Sequence, residues 1–215
     1  MEEICKMSVE ELNQAKQELS DYYDRCMAMG AECVYEDWEY KVQEGLIVAL
    51  KYIGEITEHL KVADWIDCLY CDSLNKVKSR LKTVDLNKVR YVDINTFAET
   101  YITSIKADEL LYVGQCAFNT CTALREFKAD KVVEVDVDAF RKCFNLREVN
   151  LPSVTKISSC AFMDCDNLKK ADLRNVISIG NYAFAGCDSL EDVNVQDGVI
   201  LSDAAFRWCS KLKRA

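Results

Sequence analysis

The sequence predicts an α/β solenoid, a chain of short coils that each contain one strand and one short helix. A phrase of the form A-F-x-x-C-x-x-L recurs at a fixed interval of 22 residues, beginning at Ala117, Ala139, Ala161, Ala183 and Ala205. After each copy, apolar and polar residues alternate, as is typical of a half-buried strand. Because a unit this short cannot bury its own apolar residues, each coil has to complete the core of its neighbour.

The recurring phrase predicts the short helix of each coil. Its Ala, Cys and Leu positions, at steps of four and three, share one helical face with Phe. Ahead of each Ala-Phe position stands a residue type that N-cap positions tolerate. That column contains Asp93, Gly114, Asp136, Ser158, Gly180 and Ser202.

The stretch after each Leu predicts the strand of each coil. Apolar residues such as Val149 and Leu151 face inward, and the polar residues between them face outward. Successive strands are expected to form a parallel sheet with neighbours about 4.8 Å apart. A second apolar column turns the chain towards the next cap and contains Val92, Val113, Val135, Ile157, Ile179 and Leu201. The pattern begins at Leu81 and yields six coils, the last of them incomplete.

The repeat resembles a known family. The pattern Ile179-Gly-x-x-Ala183-Phe184-x-x-Cys187-x-x-Leu190-x-x-Val193 is similar to the BspA-type leucine-rich repeat over residues 81–215. The resemblance implies a right-handed leucine-rich-repeat solenoid used for protein binding. It also implies a family rich in bacterial and protist surface proteins, with no catalytic motif to transfer.

Residues 1–80 are predicted to form an acidic helical domain that caps the solenoid. Ser8 and Glu11 have the form of a capping box, and the helix that follows ends at Gly30. A second helix is expected from about Asp37, and two short helices between residues 62 and 80. The apolar stripe of the second helix contains Val42, Leu46, Ala49, Leu50, Ile53, Ile56 and Leu60. Within this domain, residues 71–74 (C-D-S-L) nearly repeat 187–190 and predict a degenerate first coil. The domain either serves only as a cap or also docks on a partner.

Charge and composition narrow the function classes. Residues 1–80 carry 17 Asp and Glu against 9 Lys and Arg, so a net of −8 out of the total −9 belongs to this third. A protein that binds nucleic acid directly would be expected to be basic, so this class is disfavoured. The first five residues lack the features of a secretion signal, and no apolar run is long enough to span a bilayer, which predicts a cytoplasmic protein.

No cofactor, metal or enzyme activity is expected. The sequence lacks phosphate-binding and nucleophile motifs, and its single histidine, His59, is expected near the end of the second helix. The 12 cysteines are interpreted as free thiols, because a cytoplasmic chain does not favour disulfides. The cysteine column is expected to pack in the core. A zinc site formed by Cys26, Cys33, Cys68 and Cys71 is the alternative.

Two sets of residues are candidates for protein binding. Aromatic residues that interrupt otherwise polar columns are candidate hot spots, with partial burial against a neighbouring coil as the alternative. They are Tyr91, Tyr112, Phe144 and Trp208. Polar residues at outward strand positions form the second set, with an ordinary solvated face as the alternative. They are Glu126, Lys128, Glu148, Asn150, Lys170 and Asp172.

Two further hypotheses concern the ends of the sequence. The chain stops at Ala215 before the last coil has a strand or a cap, which predicts a homodimer or another protein partner at the C-terminal coil. The acidic helices could instead belong to a phage- or mobile-element-encoded inhibitor that blocks a nucleic-acid-binding enzyme by charge mimicry. Its candidate residues are Glu10, Glu11, Glu18, Asp21, Glu36, Asp37 and Glu39.

Overall fold

The computed structural model describes residues 33–35, 37–43 and 46–212, with side chains for 37–40 and 46–212. Within these residues the chain forms 17 strands and no helix. The strands are β1 (Cys33–Tyr35), β2 (Trp38–Gln43), β3 (Leu46–Tyr52), β4 (His59–Lys61), β5 (Cys68–Leu69), β6 (Thr83–Asp85), β7 (Tyr91–Val92), β8 (Ser104–Lys106), β9 (Tyr112–Val113), β10 (Glu126–Lys128), β11 (Glu134–Val135), β12 (Glu148–Asn150), β13 (Lys156–Ile157), β14 (Lys170–Asp172), β15 (Ser178–Ile179), β16 (Asp192–Asn194) and β17 (Ile200–Leu201).

These strands build a right-handed solenoid of about 7 coils of roughly 22 residues. Each coil contributes one three-residue strand and one two-residue strand. The two-residue strands extend a ten-stranded sheet in the order β1-β2-β3-β5-β7-β9-β11-β13-β15-β17. The three-residue strands form two smaller sheets, β4-β6-β8 and β10-β12-β14-β16. Pairing between coils is parallel and joins equivalent positions, as between Val149 and Ala171.

The core lies between the sheets and is continuous from coil to coil. Its centre is a stack of parallel phenylalanine rings with centroids 5.0–5.3 Å apart. The stack contains Phe97, Phe118, Phe140, Phe162, Phe184 and Phe206. Phe127 packs edge-on against Phe140, and the Ala, Cys and Leu columns of the repeat are buried around the stack. The repeat columns therefore form the shared core that the sequence predicts.

The short helix predicted for each coil is wrong. In the phrase around Phe118, Cys116 and Thr120 have φ values of 54° and 59°, in the left-handed region, and the same two columns are left-handed in later coils. An α-helix requires right-handed dihedrals at every residue, so a left-handed residue at every fourth position prevents it. The segment is a series of turns, and each coil therefore contains a second short strand and turns where the sequence predicts a helix.

Hydrogen bonds between coils replace those of the missing helix. Within the phrase, the Asn119 N–H donates to the Cys116 carbonyl at 3.0 Å, three residues earlier. The Phe118 N–H instead donates to the Ala139 carbonyl in the next coil at 2.7 Å, and the Thr120 N–H donates to the Arg141 carbonyl in that coil. Donors thus alternate between the local turn and the neighbouring coil, which satisfies buried backbone groups without helical geometry.

The second N-terminal helix, predicted from about Asp37, is also wrong. β2 and β3 form an antiparallel hairpin in which Gln43 pairs with Leu46 and Trp38 pairs with Tyr52. The apolar stripe does recur at helical spacing, but the two segments also contain aromatic and β-branched residues, which favour a pleated surface. They are Trp38, Tyr40, Val42, Ile47, Val48 and Tyr52. Only two residues separate the paired positions, which is the length of a tight hairpin connection. Pairing of the two strands in a hairpin therefore prevails over the helical spacing of the apolar residues.

Residues 59–80 form the first coil of the solenoid, and the two short helices predicted between residues 62 and 80 are wrong. β4 pairs in parallel with β6, and β5 pairs with β3 and β7. Ser73 and Leu74 are fully buried, as are the Ala and Phe positions of later coils. A coil thus lies here, as the sequence predicts, but the predicted match of residues 71–74 to 187–190 is wrong. Because Leu69 pairs with Val92, residues 71–74 correspond to 94–97, and Asp72 is left-handed like Asn95. The first predicted helix, from Ser8 to Gly30, lies outside the described residues.

Candidate functional site

The outward side chains of β10, β12 and β14 form a continuous polar surface, which we term the polar strand face. It consists of Glu126, Lys128, Glu148, Asn150, Lys170 and Asp172. The middle residue of each strand points into the core and is buried, so the flanking residues point outward. Equivalent positions pair across the sheet and form two rows, Glu-Glu-Lys and Lys-Asn-Asp.

Short polar contacts organise this face. The Lys128 ammonium lies 3.0 Å from the Glu126 carboxylate on the same strand. That hydrogen bond and the Glu126 charge raise the pKa of Lys128, and the charge of Glu148 raises it further. Asp172 accepts hydrogen bonds from Arg174 and from the Asn194 amide, and these contacts lower its pKa. The face thus presents ordered groups of both signs.

One pair on the face is unfavourable for folding. Glu126 and Glu148 occupy directly paired positions on adjacent strands, and like charges in that arrangement repel. Lys128 neutralises only part of this acidic pair. These two carboxylates can accept further hydrogen bonds from a cationic group of another protein.

The aromatic candidates divide into two groups. Tyr91 and Tyr112 are buried, with 5% and 8% exposure, so the alternative of burial applies to them. The Tyr112 hydroxyl donates to the Asp136 carboxylate of the next coil at 2.6 Å. Burial raises the pKa of Tyr112, and Asp136 raises it further. These two side chains therefore contribute to packing between coils.

Phe144 and Trp208 remain on the surface. Trp208 is 58% exposed, and the Arg207 guanidinium lies 4.5 Å from the centre of its ring. Phe144 is exposed at the turn after its buried cysteine column. Tyr101, the equivalent of Phe144, is 65% exposed and is not among the candidates predicted from the sequence. The interval from Leu81 to Ile102 is 21 residues and not 22, so this coil is one residue short. An alignment that places the residue directly after Thr100 in the column of Phe144 would have found Tyr101.

The cysteine column is a ladder of thiol hydrogen bonds. Each thiol donates to the carbonyl oxygen of the stacked phenylalanine in the previous coil at 3.1–3.2 Å. The donors are Cys121, Cys143, Cys165, Cys187 and Cys209. Burial raises the pKa of Cys121 and Cys165, which keeps these thiols protonated. The ladder therefore has a packing role, as predicted from the sequence.

Metal and membrane sites have no support among the described residues. Over this part of the chain, no group of three or more His, Cys, Asp and Glu residues is placed to hold a metal ion. Of the four predicted zinc ligands, Cys68 is fully buried and burial raises the pKa of Cys71 to about 11. The side chains of Cys26 and Cys33 lie outside the described set. His59 lies in β4, not in a helix, and its Nδ1 is 2.8 Å from the Thr83 hydroxyl. No helix in the described ranges is long and apolar enough to cross a membrane.

The acidic-face candidates are mostly beyond the described residues. Glu10, Glu11, Glu18, Asp21 and Glu36 belong to that group. Asp37 is exposed, and Glu39 forms an ion pair of 3.3 Å with Lys51 across the hairpin.

The repeat architecture agrees with a protein-family model. Six copies of the BspA type leucine rich repeat region match residues 90–213, which is more than half of the chain. The chain belongs to the BspA-type leucine-rich-repeat family. None of the curated protein sequences compared with it matches.

Two solved structures share the fold of this BspA-type protein. The T. pallidum leucine-rich-repeat protein superposes with a TM-score of 0.72 at 22% identity, covering 85% of this chain and 91% of that one. A leucine-rich cell surface protein from Faecalibacterium prausnitzii superposes with a TM-score of 0.59 at 19% identity, covering 83% of this chain and 46% of the other. The BspA-type chain thus spans about half of the Faecalibacterium protein. At these identities the likeness concerns the fold alone.

Proposed function

We propose that this BspA-type chain is a non-catalytic, intracellular protein-binding module that recognises its partner through the polar strand face. The observation that carries this proposal is the regular array of outward-facing polar side chains, exposed or half-buried and of both charge signs, on β10, β12 and β14. Such an array gives directional hydrogen bonds and charge complementarity, which are the features that specify a protein partner. Membership of a family whose repeats form interaction surfaces supports the same conclusion.

Charge reversal on this face tests the proposal. The double variant Glu148→Lys with Lys170→Glu keeps the net charge constant and inverts the pattern. Proteins retained from the native cell lysate by the wild type are expected to be lost with this variant. Glu99→Lys, at an exposed turn position away from the face, is the control and is expected to retain them. Equal retention by the double variant would refute this use of the face.

The charge distribution favours a second candidate function, the charge-mimicking inhibitor. Its support is the net of −8 confined to residues 1–80. Affinity that depends on a field of charges falls steeply with salt. The expected result is capture of a nucleic-acid-processing enzyme at low salt and its release at high salt. Reversing the charges of Glu10, Glu11, Glu18 and Asp21 would leave binding intact if this candidate is wrong.

A second copy of the chain is the partner that we propose for the last described coil. Ile200 and Leu201 in the edge strand β17 are 64% and 46% exposed, and Trp208 belongs to the same coil. Apolar side chains on an open strand edge favour association. Light scattering is expected to show a dimer at high concentration, and Ile200→Lys is expected to shift it towards monomer. A wild type that stays monomeric at high concentration would exclude this dimer.

A further inference from the structure

A groove of about 510 Å³ lies beside β4, at the first coil of the solenoid. Its volume is within the range of ligand pockets, about 300–1,000 Å³. Three carboxylates, four large apolar side chains and the strand itself line it. The carboxylates are Asp37, Glu55 and Asp64, and the apolar side chains are Trp38, Ile56, Leu60 and Trp65.

The groove follows the outer edge of a sheet. β4 is the terminal strand of the sheet β4-β6-β8. The Val62 N–H donates to the backbone carbonyl of Asp85 at 2.9 Å, and the Thr83 N–H donates to the backbone carbonyl of Glu58 at 3.1 Å. Backbone groups at positions 58 and 62 therefore point towards β6. Because alternate residues of a strand direct their backbone groups to opposite sides, those of His59 and Lys61 point away from β6.

Only part of this edge is satisfied within the chain. The His59 N–H donates to the Thr57 hydroxyl at 3.1 Å, and that hydroxyl donates to the His59 carbonyl at 2.9 Å. The Lys61 N–H and carbonyl point away from β6, and outside the β4–β6 pairing they have no hydrogen-bond partner among the described residues. One backbone donor and one acceptor thus remain at the groove, in the arrangement that an added strand uses.

The walls of the groove favour a cation with an apolar stem. The lining residues include three carboxylates but only one ammonium, that of Lys61, and one imidazole, that of His59. Lys61 pairs in register with Asp85 on β6. A Cβ at Gly54 would lie 2.5 Å from the Tyr52 hydroxyl and 2.6 Å from Asp37 Cγ, so these two groups converge there. Burial raises the pKa of Tyr52, and the charges of Asp37 and Glu55 raise it further.

The wall of the groove that carries these carboxylates is held in place by packing. The Trp38 and Tyr52 rings meet edge to face at 4.9 Å, and the Trp65 ring meets Tyr40 at 5.1 Å. Lys76 donates to the carbonyls of Ile53 and Gly54 at 2.6 and 2.5 Å, which fixes the loop next to the carboxylates. The groove is therefore ordered before a ligand arrives, and this lowers the entropic loss on binding.

We propose that this groove binds an extended peptide segment that carries a lysine or arginine side chain and pairs with Lys61 as an added strand. The backbone of the segment would satisfy the free donor and acceptor of Lys61. Its basic side chain would reach Asp37, Glu55 and Asp64, with its stem against Trp65 and Ile56. This site is separate from the polar strand face on β10, β12 and β14, so the failure of either assignment leaves the other intact.

Tryptophan fluorescence measures this binding directly. The background is Trp208→Phe, so that the remaining signal comes from the groove residues Trp38 and Trp65. The probe is the N-acetylated, C-amidated peptide Val-Lys-Val-Lys-Val, titrated into the full chain. Saturable change of the fluorescence is expected, together with a shift of the Lys61 amide resonance in NMR spectra.

Two modified peptides separate charge from strand pairing. The version with both lysines acetylated lacks the positive charge, and the version with alternate backbone amides N-methylated lacks the donors. Each is expected to bind at least roughly tenfold more weakly, because each loses one of the two kinds of contact. Free butylamine tests the side chain without a backbone and is expected to bind far more weakly than the peptide.

A matched pair of protein variants locates the site. Glu55→Gln with Asp64→Asn is expected to weaken the peptide roughly tenfold, since both carboxylates face the groove. Asp108→Asn with Glu109→Gln removes two exposed carboxylates after β8 and is expected to change affinity less than twofold. The proposal is overturned if the peptide does not bind, if the acetylated or N-methylated peptide binds equally well, or if both double variants weaken binding equally.

Discussion

At the scale of single residues, left-handed positions occupied by ordinary amino acids shape the turns. One column contains Glu99, Thr120, Lys142, Asp164, Gly186 and Trp208, all with φ between 59° and 75°. Only one of these six is glycine, the residue that adopts this conformation without strain. Hydrogen bonds to the next coil hold four of the other five in place, namely Glu99, Thr120, Lys142 and Asp164. The strain is therefore compensated by contacts between coils.

Replacing Lys142 by glycine is expected to stabilise the protein. Lys142 is exposed and has a φ of 59°, and Gly186 occupies the same column with a φ of 75°. Relief of left-handed strain, about 1–2 kcal/mol, exceeds the entropic penalty of glycine, about 0.5–1 kcal/mol. The free energy of unfolding in urea should rise by about 0.5–1 kcal/mol.

The control for this substitution is Lys169→Gly. Lys169 is also exposed, but its φ is not in the left-handed region. The substitution should therefore lower the free energy of unfolding by about 0.5–1 kcal/mol. Equal destabilisation by the two substitutions would contradict the assignment of strain to position 142.

At the scale of elements, the phenylalanine stack couples each coil to the next. Phe140 lies between Phe118 and Phe162, each at 5.0 Å, and Phe127 meets it edge-on at 4.6 Å. Phe206 at the last described coil has one stacked neighbour, Phe184 at 5.3 Å. Because each repeat is stabilised by its neighbours, the central coils are expected to be more stable than the last one.

The two positions provide a test of this coupling. Phe140→Ala is expected to lower the free energy of unfolding by about 3–5 kcal/mol, since it opens a cavity between two coils. Phe206→Ala is expected to lower it clearly less, because Phe206 is partly exposed and has one partner ring. Urea denaturation followed by circular dichroism measures both losses. Losses of equal size would argue against the stack as the element that joins the coils.

At the scale of the whole molecule, the thiol ladder makes stability depend on pH. Burial raises the pKa of Cys121 and Cys165 above that of a thiol in the unfolded chain, about 8.5. Below that pH both states hold the proton, and the stabilisation is fully present. As the pH rises, only the unfolded chain loses protons, so the folded state loses relative stability.

The free energy of unfolding is therefore expected to fall between about pH 8.5 and 10.5, by up to about 1.4 kcal/mol per pH unit for each such thiol. Urea denaturation in the presence of a reducing agent measures this dependence. Cys165→Ala removes one titrating group and should make the decline shallower. A flat profile over this range would contradict protonated, buried thiols.

The candidate surfaces were partly predictable from the sequence. The period-two alternation identified the polar strand face, because the direction of a side chain in a strand follows from its position alone. It did not reveal that Tyr91 and Tyr112 are buried while Phe144 is exposed. Burial depends on neighbours from other coils, such as Asp136 beside Tyr112. The groove at β4 was also not predictable, since it requires the hairpin and the first coil to be placed together.

The sequence by itself determined that the chain is a solenoid with a repeat of 22 residues and that the Phe, Cys and Leu columns face the core. It did so because a short repeat has only its neighbours with which to bury apolar surface. Only the tertiary structure decided the local conformation. Helical spacing around Leu46 became a hairpin, and the Ala-Phe phrase became left-handed turns. In both places hydrogen bonds to adjacent strands or coils outweigh the weak helical preference of a few residues.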